Sequence, residues 1–360
     1  SVLRGSSPDI SENLTLLLNG SSFGTVSQFR YVTNNDDVEI YDSTGRLLSV
    51  THRNGFTQTL IYSDGTSGPN GGYVLDATGK PTVTVLPAGR MIRVTDVAGR
   101  ALNFGYDTSN RIVKMTDPDG GSYLYQYDPN NNLASITYPD NKTKQYLYGE
   151  TAYTSGANLP HALTGILDEN GARYATYRYD AQGRAYDEDH GANLAGGPVD
   201  HYNLTYTLDA SGNPISTVIT DPLGTSRIYN FTTVLGAVKS TGSSQPAGSG
   251  CAAASSSMTY DANSNVDTRT DFNGNTITYT YDLTRNLETS RTEAVGKPEA
   301  RTIATTWHPI YRLPTQISEP GRITDLSYDA ATGNLLSRKL TATGLTRQST
   351  YTYTTAADGT

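Results

Sequence analysis

The chain has 360 residues, a net charge of −8 and 36% hydrophobic residues. That length holds one large array or two to three ordinary domains. The acidic balance, with no cluster of Lys and Arg, argues against a nucleic-acid partner, and the single cysteine, Cys251, excludes an intramolecular disulfide framework and a Cys-rich zinc site.

Residues 1–40 are expected to be degenerate N-terminal strands or a capping region, in which Leu14-Thr15-Leu16-Leu17-Leu18-Asn19-Gly20 reads as a strand and turn. The opening Ser1-Val2-Leu3-Arg4 shows no charged region followed by an apolar core, so no signal peptide is read there. No stretch approaches 18 consecutive apolar residues, so no membrane-spanning helix is predicted.

From residue 41 to 360 a tyrosine–aspartate pair recurs. Tyr41-Asp42 comes first; Tyr106-Asp107 is followed 21 residues later by Tyr127-Asp128, and 21 further on by Tyr148-Gly149. Tyr179-Asp180 and Tyr328-Asp329 are further copies, and Tyr260-Asp261 and Tyr281-Asp282 are again 21 apart. Self-similarity at 20 to 50 residues marks a repeat architecture.

One repeat, 106 to 127, shows how it folds. Tyr106-Asp107-Thr108-Ser109-Asn110 is a turn cluster, Arg111 to Thr116 a short run, Asp117-Pro118-Asp119-Gly120-Gly121 a second turn cluster, and Ser122 to Tyr127 the return run. Two runs of this length around Asp-Gly read as a β-hairpin. Tyr123, Tyr125 and Tyr127 alternate with Ser122, Leu124 and Gln126, as Ile277, Tyr279 and Tyr281 do with Thr276, Thr278 and Thr280. This predicts strands with one buried and one solvated face. Helical spacing is nowhere sustained. The fold expected is all-β, built of tandem antiparallel hairpins of about 21 residues. Loop excursions are expected near 150–160, 185–200 and 240–257, the last around Cys251.

Tyrosine is the compositional outlier, with 26 Tyr against 6 Phe and 1 Trp. Phe would serve a dry core, whereas Tyr adds a hydroxyl that needs a partner, so a half-wet face is expected. The Asp of each pair is read as closing its own turn through its side chain. A catalytic site is made once, whereas this pair repeats.

The pattern Tyr41-Asp42-Ser43-Thr44-Gly45-Arg46-Leu47, repeated as Tyr177-Arg178-Tyr179-Asp180-Ala181-Gln182-Gly183-Arg184, resembles the Rhs, or YD-repeat, family of polymorphic-toxin and cell-surface proteins. The Tyr-x-Tyr-Asp ending stands at 125–128 and 279–282, and the stretch from Arg291 to Pro309 also looks like one seen in long bacterial members. The resemblance implies hairpins laid side by side into a spiralling sheet or part of a hollow β-shell. It implies a secreted or cell-surface bacterial protein, with a secretion system as one delivery route, and a non-enzymatic segment enclosing or presenting a toxin or effector of the same parent chain. No core domain, autoproteolytic motif or toxin is found here. With Tyr351-Thr352-Tyr353-Thr354 starting what looks like another repeat, the chain is expected to be a piece of a longer one. The alternative is an adhesion module whose Tyr rows bind surface glycans.

Catalytic, cofactor and metal sites are not assigned. Gly20-Ser21-Ser22-Phe23-Gly24 fits the hydrolase elbow but lacks the helix that should follow. Asp261-Ala262-Asn263-Ser264-Asn265 begins like a calcium loop, yet Val266 and Phe272 stand at its diagnostic sixth and twelfth positions. Asp187-Glu188-Asp189-His190, with His201 nearby, is the densest acidic cluster, and a divalent ion there is left open. The five histidines, His52, His161, His190, His201 and His308, show no metal-ligand spacing. The sequons at Asn13, Asn19, Asn141, Asn203 and Asn230 are read as chance in a Thr- and Asn-rich chain.

Overall fold

The computed structural model describes residues 2–4, 13–18, 26–33, 35, 37–191, 199–330 and 333–353. Among them are 31 strands, numbered here in chain order from β1 (Val2–Arg4) to β31 (Leu345–Thr350), and a single 3-10 turn at Thr151–Tyr153. The chain is all-β, as the hairpin pattern predicts. No helix is long and apolar enough to cross a membrane among the described residues. The elbow-like Gly20–Gly24 lies outside the described residues.

The chain divides into two compact units, one reaching to His201 and the other beginning at Tyr202. In the first, strands follow one another as antiparallel neighbours. β9 (Met91–Thr95) pairs with β10 (Ala101–Tyr106), which pairs with β11 (Ile112–Thr116), then β12 (Ser122–Tyr127), β13 (Leu133–Thr137) and β14 (Thr143–Tyr148). β6 (Thr57–Tyr62) pairs directly with β9, so residues 63–90 leave the array between them. Their own small hairpin, β7 (Tyr73–Leu75) with β8 (Pro81–Val85), packs on β10. Val74, Leu86 and Tyr106 form a buried cluster there, with Ile92, Phe104 and Ile112 against it. The hairpin approaches β10 closely at Gly105, where a Cβ would lie 2.2 Å from a terminal methyl of Leu75 and force that side chain to move.

In the second unit, β19 (Pro214–Thr220), β20 (Ser226–Val234) and β21 (Ala237–Gln245) follow the same antiparallel rule. A nine-stranded sheet then runs from β23 (Ser257–Tyr260) to β31.

The expected split into a buried and a solvated face does not hold. Of β12 only Gln126 is exposed, and of β25 (Thr276–Asp282) only Thr280; both rows are otherwise half-buried. Neighbouring strands lie only about 4.8 Å apart, so long side chains of either row lie along the next strand. The hairpin β7–β8 also covers Lys114 and Leu124, each of which approaches Gly79.

The excursions are narrower than expected. Ala185–His190 is a strand, β17, paired with β16 (Arg173–Tyr179), and its Asp187 and Asp189 side chains are drawn into that pairing by Arg178. Strand β21 likewise continues to Gln245, and β23 begins at Ser257. Residues 149–162 carry the 3-10 turn and its flanking turns, tied down by Glu150.

Candidate functional site

The recurring constellation is a turn and a bulge. At Asp107 the loop closes when the Asp107 N–H donates to the Arg111 carbonyl (2.9 Å) and the Asn110 N–H to the Asp107 carbonyl (3.0 Å). Asn110 takes a positive φ of 61°, the left-handed conformation that Asn tolerates better than most residues. The Asp107 side chain holds the loop from within: Oδ1 accepts from the Ser109 and Arg111 N–H groups, each at 2.9 Å, and Oδ2 from Arg111 Nε at 2.8 Å.

Asp42, Asp128, Asp180 and Asp261 repeat the arrangement, with Arg46, Asn132, Arg184 and Asn265 in the place of Arg111. Asp282 accepts from the Thr284 and Arg285 N–H groups. Asp329 closes a loop one residue longer, its N–H donating to Asn334. These bonds stabilise the ionised carboxylate. The Thr44 hydroxyl holds the Asp42 carboxyl well below its usual range; Arg100 lowers Asp96, Asn265 lowers Asp261 and Asn275 lowers Asp271.

The tyrosine of each pair stands at a β-bulge, where the pairing register shifts: Tyr106 faces Ile112, Tyr127 faces Leu133, Tyr179 faces Ala185 and Tyr328 faces Leu335. A bulge takes backbone groups out of the regular ladder. The hydroxyl of the next aromatic residue reaches back to the carbonyl opposite it. Tyr127 donates to Ile112 O (2.9 Å), the residue facing Tyr106. Tyr106 donates to Met91 O (2.7 Å), facing Tyr62, and Tyr179 to Leu163 O (2.9 Å), facing Tyr148. In the second unit Tyr260 reaches Ser240 O (2.8 Å), Tyr328 reaches Pro314 O (2.9 Å) and Tyr353 reaches Leu335 O (3.0 Å). Trp307 does the same with its indole N–H, donating to Glu288 O at 2.7 Å. Burial raises the Tyr106, Tyr127, Tyr179 and Tyr328 hydroxyls above the ordinary phenol value. The Arg111 guanidinium lies 4.4 Å from the Tyr127 ring centroid, so Asp turn, Arg and next Tyr form one connected unit.

The structure does not bring every signature residue into this scheme. Tyr41 donates to the Glu39 carboxylate, which pushes its hydroxyl up to about 12. Tyr281 stacks on Tyr279, with centroids 6.4 Å apart. Sequence reasoning missed the side-chain role of aspartates outside the Tyr-Asp pairs: Asp96, Asp117, Asp168, Asp221 and Asp271 close the turns at the opposite ends of the hairpins, and Asp209 closes the turn after the Leu208 bulge. The signal was present as Asp followed three residues later by Gly.

The other candidates resolve into local bonding. Asp261 Oδ1 accepts from the Asn263 and Asn265 N–H groups at 2.9 Å each, the bonding of a turn. Asp187 and Asp189 both pair with Arg178 Nη1, and Asp187 Oδ2 lies 2.8 Å from His201 Nε2. No group of three or more His, Cys, Asp or Glu that could hold a metal ion occurs among the described residues. A groove of about 520 Å³ is lined mainly by apolar groups, from Leu159 to Leu163, with Tyr179 and Gly183.

The RHS Repeat family profile matches residues 86–122 and 106–143. No curated protein matches the chain. Among solved structures, TcdB2–TccC3 without its hypervariable C-terminal region is 14% identical over 91% of this chain and 19% of that one, with a TM-score of 0.43. The Photorhabdus luminescens Tc holotoxin pore is 13% identical over 92% and 21%, at 0.24. A porin-like protein from Bacteroides uniformis is 12% identical over 72% and 91%, at 0.22. These TM-scores are too low to carry an argument, and the chain spans about a fifth of the first of these structures. The two profile matches, by contrast, fall on the repeats whose Tyr106 and Tyr127 link neighbouring hairpins, and the same bulge and hydroxyl bond recur at Tyr179, Tyr260 and Tyr328; the chain carries RHS, or YD, repeats over residues 86–143.

Proposed function

We propose that this chain is a non-enzymatic structural segment of an RHS-repeat shell, which encloses or presents a toxin or effector segment of the same parent chain in a secreted or surface-displayed bacterial protein. One observation supports it most: the signature side chains are engaged in building the repeat. The carboxylate of Asp107 holds its own loop, and the hydroxyl of Tyr127 holds the neighbouring hairpin. Neither is presented to a substrate, and a group so engaged is a scaffold rather than a reagent. In this reading residues 1–40 serve as a cap and 41–360 as the array.

Limited proteolysis of the native full-length protein tests the proposal. Protection of its C-terminal region until the repeats unfold is the expected result, and a C-terminal region freely cut in the native state would sink it. Glycan-array binding that disappears on Tyr123→Ala and Tyr125→Ala, in a protein that stays folded, would replace it with the adhesion reading.

A further inference from the structure

The turn after β27 (Arg301–Trp307) departs from the aspartate rule. His308 stands where the repeat places Asp, directly after the bulge aromatic Trp307. The loop still closes through the backbone, the His308 N–H donating to Leu313 O at 2.8 Å. The side-chain acceptor is now an imidazole nitrogen: His308 Nδ1 accepts from the Ile310 N–H (3.2 Å) and the Tyr311 N–H (3.1 Å). Two N–H groups directed at one ring nitrogen require its lone pair, so this geometry needs the neutral ring with its proton on Nε2.

That turn is the middle link of a stitched border in the second unit. On one side, Asn263 Nδ2 donates to Leu283 O (2.7 Å) and to Asn286 Oδ1 (2.9 Å), joining the turn at Asp261 to the turn at Asp282. Arg285 then reaches across, donating to His308 O (2.8 Å) and Tyr311 O (2.7 Å), and Arg312 reaches back to Arg285 O (2.9 Å). On the far side the Tyr311 hydroxyl donates to Ala330 O (3.0 Å), in the turn opened by Asp329. The Tyr311 ring also stacks on His308, with centroids 4.7 Å apart. The charged and titratable groups around the imidazole are therefore Arg285, Arg312 and Tyr311, with Asp282 and Asp329 opening the adjoining turns.

We propose that the His308 turn is a pH-sensitive link in a border whose turns at Asp261 and Asp282 are held by carboxylates. Imidazoles take up a proton in the range of about pH 5 to 8. The proton goes to Nδ1, the acceptor becomes a donor, and two backbone N–H groups then face an N–H. The sign is fixed by this geometry: the closed turn needs the neutral ring, so closure is complete at higher pH and is lost as the ring charges. The Asp261 turn keeps its acceptor over this range, since Asn265 holds the Asp261 carboxyl below its ordinary value. Mild acid therefore loosens Ile310 and Tyr311 and the Arg285 and Ala330 contacts that depend on them, while the Asp261 turn stays closed. This inference does not depend on the shell reading.

Amide hydrogen exchange on the isotope-labelled chain, corrected for intrinsic rates, tests it together with the His308 ring nitrogen shifts. Protection of the Ile310 and Tyr311 amides is expected to fall about tenfold per pH unit once the ring protonates, following its neutral fraction. The Asn263 and Asn265 amides are expected to hold over the same range. In His308→Asp and in His308→Asn, which restore an acceptor that does not charge between about pH 5 and 7, the step should vanish. The idea is overturned if the ring charges with no loss of protection, if it stays neutral down to about pH 5, or if either folded variant keeps the step.

Discussion

Strands β9 to β14 and strands β18 (Val199–Leu208) to β21 build the same antiparallel hairpins by different means. In the first group every strand has 5 or 6 residues; in the second they have 10, 7, 9 and 9. The short strands carry Tyr106 and Tyr127 at their bulges, each donating a hydroxyl to the preceding hairpin. At the corresponding bulges of the long strands stand Leu208 and Phe231, which have no hydroxyl. A short strand forms few ladder bonds, so a side-chain bond to a bulge carbonyl is a large share of its cohesion. A long strand has ladder bonds to replace it: β18 and β19 pair at six registered positions, against three for β11 and β12. At Leu208 and Phe231 strand length thus stands in for the missing donor, whereas β21 has both, since the Tyr260 hydroxyl reaches its Ser240 carbonyl.

That contrast is breakable. The largest effect is expected from Tyr106→Phe. It strands the Met91 carbonyl beside a buried ring and should cost about 1–3 kcal/mol, the penalty for an unsatisfied buried polar group. Urea unfolding of the first unit measures it; no loss would mean that the hydroxyl bond is incidental. Next comes Asp107→Ala, which removes the acceptor of two loop N–H groups and of Arg111. A loss of about 1–2 kcal/mol is expected, with hydrogen exchange rising first at Ser109 and Arg111. Uniform exchange changes across the unit would contradict the local role.

Acid should act at the same turns. The Asp42, Asp96, Asp261 and Asp271 carboxyls lie below their ordinary value when folded. Their contribution is therefore complete above the unfolded value of about 3.9 and is lost as pH falls through the depressed folded values. Circular dichroism should stay flat to about pH 4 and change only below it; a main transition near neutrality would contradict this assignment. The smallest effect is the converse substitution, Phe231→Tyr. It supplies the missing donor among the long strands and should add about 0.5–1.5 kcal/mol if the hydroxyl finds its carbonyl. A loss of stability would show that the long-strand spacing leaves no room for the bond.

The repeated Tyr-Asp pair made the hairpins and their turns legible in the sequence, because a turn is local chemistry: Asp107, Asn110 and Arg111 meet within five residues. The alternation of Tyr123, Tyr125 and Tyr127 was misleading about burial, since it describes one strand and exposure depends on its neighbours. The excursion expected at 185–200 overlooked β17 because Asp187 and Asp189 look like a solvated run until Arg178 lies across from them.

The sequence by itself therefore determined the all-β class, the period and the turns, for these follow from residues close together along the chain. Only the tertiary structure decided what the tyrosine hydroxyls are for. Tyr127 and the Ile112 carbonyl are 15 residues apart, and a bulge that shifts the register brings them together. A pattern of residue types records that a hydroxyl is present; which backbone group it satisfies depends on how the strands pair.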